Sequence, residues 1–363
     1  MRSARAYLSE IYDQLYWRGV VYGLIAMLLL GLGIALGSRN FDDFDSALIG
    51  YTFASLFSVF GIVYRYSVWL TKPSTKRYWK KGWMLFLDPG NWGRGKLPGI
   101  LIGALFSKIL IQDFVWRRGK RRYVAHILMV WGCVLAALVT FPLVFGWIHF
   151  ETGTISPIQT YKVILLHSQV QELPLNGLLS WLVFHALVIS SFLVIPGVML
   201  AIYRRMTDPG EAVIQKFNSD FLPLILLFSV AFSGLLLWVD YEWLEGYYYS
   251  VIAQFHALTV IGTLIYLPFG KLFHIFQRPA SLGIALYRTL NMKERQTRCP
   301  VTGEEFVSAV HIEDLKEVLP ETGFDYSPSS ENGVGGKWFE ISPRGRRMLI
   351  GRSHSKTRGR NFS

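Results

Sequence analysis

Two histidines, His256 and His274, stand 18 residues apart in the apolar stretch QFHALTVIGTLIYLPFGKLFHIF. At 100° per residue, 18 residues complete five turns. On one continuous helix both imidazoles would therefore leave by the same face, about 27 Å apart along the axis. No single metal ion bridges that gap. A neutral imidazole is, however, an axial ligand for haem iron. Two haems, one near each surface of a bilayer, would let electrons cross it. The spacing predicts haem ligation, provided that partner histidines exist at both depths.

The elements that must position these side chains are membrane helices. The chain is 52% hydrophobic and 15% aromatic with a mean hydropathy of +0.32, and its apolar runs are long enough to cross about 30 Å of hydrocarbon. An all-α integral membrane bundle of about six transmembrane helices is expected, over 20–37, 47–70, 123–148, 178–203, 218–239 and 251–276, because a helix satisfies its own backbone in lipid. Residues 71–122 hold 13 Lys and Arg against Asp88 and Asp113. The short segments 38–46 and 240–250 carry Asp42, Asp43, Asp45, Asp240, Glu242 and Glu245 against Arg39 alone. Charge asymmetry of this kind predicts cytoplasmic N- and C-termini. Residues 97–112, interrupted by Lys108, read as a helix lying in the interface. The first apolar run ends at a small-residue ALGS step, but Glu10 and Asp13 in the leading segment and the 17 residues before the apolar core favour a retained helix over a cleaved signal. The net charge of +12 sits at helix ends, where anchoring at an anionic leaflet accounts for it and nucleic acid is not implied.

The remaining histidines supply the partners. His126 lies one turn after Arg122 at the start of the third span, at the depth expected for His274. Bis-histidine ligation of one haem by His126 and His274 follows, with Arg122 and Arg278 placed one turn from each ligand to pair with propionates. At the other surface, His185 is the partner expected for His256. His149 and His167 rank below it, and His311 and His354 fall in the polar tail. A lone intramembrane histidine can equally be a hydrogen-bonded structural residue or part of a proton relay; four at two depths favour ligation. Cys133 and Cys299 are the two cysteines. They form no disulfide framework and no thiolate set for zinc or an iron–sulfur cluster, and no CxxCH motif occurs, so covalently attached haem is excluded.

At this point the residues carry a family resemblance. The stretch Phe255–Pro279, with histidine, 17 intervening residues, histidine, the PFGKLFHIF ending and a following proline, resembles the last helix of the gamma subunit of respiratory nitrate reductases. The architecture of 120–280 is similar too, and related membrane cytochromes serve heterodisulfide-reductase-like and sulfite-reductase-associated complexes. The resemblance implies a diheme b-type cytochrome of a prokaryotic plasma membrane. Such a protein exchanges electrons between a (mena)quinone pool and a cytoplasmic iron–sulfur or molybdenum subunit. By position, His256 resembles the distal ligand, His274 the proximal one and His126 the partner of His274. The family's second histidine on the third helix is Ala136 here, so the outer haem either uses His185 or is missing. The two N-terminal helices lie outside the family's pattern, which implies a relative rather than a nitrate reductase subunit.

Quinol oxidation at the outer haem would need a proton acceptor, and Lys162, His167 and Glu172 in segment 149–177 are the candidates; a solvated face explains them equally. Gly262 between the two ligands would admit a macrocycle close to the backbone, and Pro268 is expected to kink the helix. Four regions follow: a two-helix membrane segment 1–70, a basic cytoplasmic linker 71–122, a four-helix diheme core 123–279 and a cytoplasmic tail 280–363 that docks on a partner. Two other classes stay open, a transporter or proton pathway built on discontinuous helices and a non-redox anchor for a soluble enzyme.

Overall fold

A computed structural model describes residues 4–93, 96–155, 158–291, 295–323 and 335–359. In chain order the first helices are α1 (Ala4–Gly37), α2 (Ile49–Trp69), α3 (Pro73–Leu87), α4 (Pro89–Gly93), α5 (Lys96–Ala104), α6 (Asp113–Trp116) and α7 (Lys120–Val144). Strands β1 (Ile148–Ile155), β2 (Ile158–Leu165) and β3 (Ser168–Pro174) precede α8 (Leu178–Phe184), α9 (Ala186–Thr207), α10 (Pro209–Ile214), α11 (Leu222–Trp243) and α12 (Tyr249–Tyr266). The remaining elements are α13 (His274–Gln277), α14 (Ala280–Asn291), β4 (Gln296–Arg298), β5 (Glu305–Ser308), α15 (Ala309–Glu321) and α16 (Pro343–Thr357). Five helices are long and apolar enough to cross a membrane: Trp17–Gly37 of α1, α7, α9, Phe217–Trp243 and α12. Counting α2 together with α3 makes six. The protein is a multi-pass, predominantly α-helical membrane bundle.

Two compact units form, Met1–Val68 with Ile111–Gln277 and Trp69–Leu110 with Arg278–Ser363. In the first, small residues let helices approach. Gly19 and Gly23 of α1 face Tyr64 and Phe60 of α2, with room for no more than hydrogen at Gly23. Gly132 of α7 meets Val194 of α9, and Gly197 of α9 meets Met129 of α7. These contacts set α7 and α9 antiparallel. Ala125, Val194, Val198, Ala201, Leu224 and Ala231 join α7, α9 and α11 in one core, removing apolar surface of all three helices from their surroundings. Ile34 of α1 packs with Val144 and Phe145 at the end of α7. The Trp147 indole donates to the Gly33 carbonyl at 3.0 Å. Each spanning helix thus touches the next in the cyclic order α1, α2, α12, α11, α9, α7.

Between α7 and α8 the chain forms an antiparallel meander, β1–β2–β3, where the sequence reading expected only an outer loop. The signal was present. ETGTI, IQTYKVIL and SQVQEL are rich in β-branched and alternating residues, the pattern of half-buried strands.

The second unit joins stretches of the segments that the sequence reading keeps apart as linker 71–122 and tail 280–363: α3 and α5 pack on α14, and α15 on α3. Gly82 of α3 lies against Gly283 of α14, where an added methyl carbon would come within 3.0 Å of the opposing backbone. Leu97, Leu286, Tyr287 and Ile312 are buried in this unit, so two sequence-distant apolar sets are pooled into a core that neither could build alone. The stretch Leu97–Leu110 is a short apolar helix, below spanning length, and its first part packs against α14.

Candidate functional site

The helix expected to carry both His256 and His274 is not continuous. α12 ends at Tyr266, a turn covers Leu267–Gly270, and a 3₁₀ turn Lys271–Phe273 leads into α13. Pro268 has no N–H to give the Leu264 carbonyl and its ring crowds that carbonyl. That oxygen accepts instead from the Ser58 hydroxyl of α2, and from the Leu267 N–H at 3.3 Å. Arg65, also on α2, donates to the carbonyls of Pro268 and Gly270, the latter at 3.1 Å, and its guanidinium lies 4.4 Å from the Phe273 ring centre. The break is therefore built and held by α2, and the shared-face geometry of an unbroken helix does not apply to His274.

What the histidines have in common is a tautomer. Ser233 of α11 donates its hydroxyl proton to the Ser229 carbonyl at 2.6 Å, so toward His256 Nδ1, 2.9 Å away, it can only accept. His256 Nδ1 then carries the proton, and the lone pair lies on Nε2. His185 Nδ1 is 2.9 Å from the Trp181 carbonyl, and its ring stacks on Trp181 at 4.5 Å. His274 Nδ1 is 2.5 Å from the Lys271 carbonyl. A carbonyl accepts only, so both nitrogens donate. All three residues present Nε2 as the basic nitrogen, the arrangement by which an outer hydrogen bond orients a metal-ligating imidazole.

Position separates them. α7 begins, and α12 ends, at one end of the bundle, where His126 lies in the second turn of α7 and His274 opens α13. Arg122 is one turn before His126 on the same helix face. Arg278 is the first residue of the second unit. His256 lies two turns into α12 and packs at the middle of α11, against Ser233 and Gly234. His185, expected inside its span, instead sits at the junction of α8 and α9, capping both. α9 meets α11 through Phe192 and Trp238, ring centres 6.4 Å apart. His185 is thus held by Trp181 at the joint of α8 and α9, and His256 by Ser233 of α11.

The three proposed quinone-site residues lie on or beside the meander. Lys162 stands opposite Glu151 on one neighbour strand and opposite Glu172 on the other. Glu172 also accepts from the Thr160 hydroxyl at 2.5 Å. That is a cross-strand charge ladder, as a sheet surface requires. His167 is exposed in the β2–β3 turn. The sheet is tied to α8 by Phe184, whose ring packs on Phe150 and Tyr161.

No protein-family model, curated protein or solved structure matches this chain. Whether the residues suit a haem is thus tested on their own geometry. α12 is flanked by α2 and α11, yet none of its residues is fully buried, and a carbon added at Gly262 would meet no atom within 4 Å. Gly262, six residues on, points about 120° around α12 from His256, so its open side does not face the way that His256 does.

Sequence reasoning missed a polar cluster at the His274 end. Asp220, 7% exposed, accepts from Arg205 at 3.0 Å, Lys271 at 2.5 Å, the Lys216 N–H at 2.9 Å and Ser219 at 3.0 Å. Tyr266 donates to the Asn218 carbonyl at 2.5 Å. Arg65 and Asp220 were detectable as single charges inside apolar runs, which in a membrane protein mark positions with a dedicated partner.

Proposed function

We propose that the protein is a quinone-reactive b-type cytochrome subunit that passes electrons across the membrane between a quinone pool and a cytoplasmic iron–sulfur or molybdenum oxidoreductase. The observation that carries this reading is the shared tautomer of His256 and His274, each with Nδ1–H given to a protein oxygen and Nε2 left basic. His126 and His274 would hold one haem, with Arg122 near its propionates; His256 would hold a second. Bound haem supplies one-electron transfer, so a quinol that gives up two electrons also gives up two protons. The chain's own work is to fix the imidazoles, exclude water from the interior and separate the two ends. Each charge moved against 100 mV costs about 2.3 kcal/mol.

A second reading, a transporter or proton pathway, is favoured by the interrupted helix at Leu267–Gly270 and the charged cluster around Asp220. Both lie at one end of the bundle rather than at its midplane, which is the weaker pattern for alternating access.

The test is a pyridine haemochrome assay with reduced-minus-oxidised spectra on the purified protein. Haem b at one or two per polypeptide supports the cytochrome; with two, His256→Ala should lower the count to one. Haem-free protein from haem-replete cells would overturn the proposal and move the transporter or anchor reading to first place.

A further inference from the structure

At the His274 end of the first unit a cavity of about 320 Å³ is lined by Arg65, Asn218, Ser219, Tyr266, Phe269, Gly270 and Lys271. Its charge is unbalanced. Asp220 is shared between Arg205 and Lys271. Among the described residues no carboxylate pairs with Arg65, whose hydrogen bonds go to the carbonyls of Pro268 and Gly270. Arg65 and Lys271 both line the cavity, and a guanidinium satisfied only by carbonyls retains its demand for an anion.

The cavity wall continues into an apolar lane. Phe269 is 65% exposed, its ring 6.1 Å from Phe57 of α2, and Phe53, one turn along α2 from Phe57, is 68% exposed. The lane follows a membrane helix away from the cations, toward the hydrocarbon. An anion attached to a long apolar chain matches both halves.

The geometry points to a structural binding site for an anionic phospholipid, its phosphate held by Arg65 and Lys271 and one acyl chain laid along Phe269, Phe57 and Phe53. A basic pocket at the end of membrane helices is the recurring form of such a site. The lipid would bridge α2 and the Leu267–Gly270 turn, and so stiffen the interruption that presents His274. It requires no bound haem.

The test uses the full-length protein in detergent, titrated with phosphatidylglycerol, phosphatidylcholine or inorganic phosphate, with bound lipid counted by native mass spectrometry and thermal unfolding followed in parallel. One phosphatidylglycerol should be retained per chain with a rise in melting temperature, while phosphatidylcholine and free phosphate do neither. Arg65→Gln and Lys271→Gln should each weaken retention about fivefold, the worth of one cation near an anionic surface, and Arg65→Lys should restore it. Equal retention of phosphatidylcholine, or stabilisation by phosphate alone, overturns the lipid assignment. So does Arg65→Gln protein that melts as the wild type does, keeps its phosphatidylglycerol and loses haem, since the cavity would then serve a haem propionate.

Discussion

The Ser233 hydroxyl stands 2.9 Å from His256 Nδ1 and passes its own proton to the Ser229 carbonyl. Thr259, 3.2 Å from Ser233, donates to the His256 carbonyl. This fixes both the ring orientation and the tautomer. Ser233→Ala should weaken haem retention at His256 by 10- to 100-fold, the usual effect of losing the outer hydrogen bond of a metal ligand. Haem transfer to apomyoglobin measures it, and an unchanged transfer rate would mean that Ser233 does not orient a ligand.

His185 should be dispensable for haem. Its use as the joint between α8 and α9, with the ring stacked on Trp181 and Nδ1 tied to the Trp181 carbonyl, predicts an unchanged haem count in His185→Ala. His126→Ala and His274→Ala should each remove one haem. A drop of one in His185→Ala would restore it as an axial ligand.

In the second unit Asp314, 6% exposed, accepts from Arg77 at 2.8 Å, Lys81 at 2.6 Å and the Tyr287 hydroxyl at 2.5 Å. Burial opposes the carboxylate, but the Lys81, Tyr287 and Arg77 hydrogen bonds outweigh it and hold the Asp314 carboxyl below its ordinary range. The Tyr287 hydroxyl is pushed up by burial and by its bond to that carboxylate. Asp314→Ala leaves two cations facing a buried position and should cost about 3 kcal/mol. Because the carboxyl is depressed, its contribution is complete above the unfolded value near pH 4 and is lost as pH falls through the lower folded one. Limited proteolysis across pH 3–7 checks both. Wild-type-like resistance of Asp314→Ala would remove the cluster from the unit's stability.

Cys299 is buried, with the Ser342 N–H 3.3 Å from its sulfur. Burial raises the thiol, but hydrogen bonds from Ser342 and Thr302 outweigh that and lower it to about 6. Thiolate absorbance in a Cys133→Ser background should titrate near pH 6. With the folded value below the unfolded one, the second unit should gain stability as pH rises from about 6 toward the ordinary thiol value of about 8.5 and lose it on acidification. Ser342→Ala together with Thr302→Val should move the midpoint upward. A midpoint above 8 in the parent would show that the donors do not reach the sulfur.

The sequence by itself determined the class. Apolar runs of spanning length and the clustering of cations dictate a membrane helical bundle, because backbone satisfaction in lipid leaves few alternatives. The types of His126, His256 and His274, and the presence of Gly262, were legible as candidate haem chemistry for the same reason: an ionisable or permissive residue in an apolar run has few bland uses. The tertiary structure alone decided the rest. Pro268 announced a kink, but whether the helix bends or stops depends on Ser58 and Arg65, some 200 residues away, which take the freed carbonyls. His185 reads from the sequence as a residue inside its span, and only the folded chain shows it at the joint of α8 and α9, stacked on Trp181. The pooling of α3 with α14 and α15 was invisible because each segment is too polar to announce a core, and a core shared across nearly 200 residues exists only once the chain has folded.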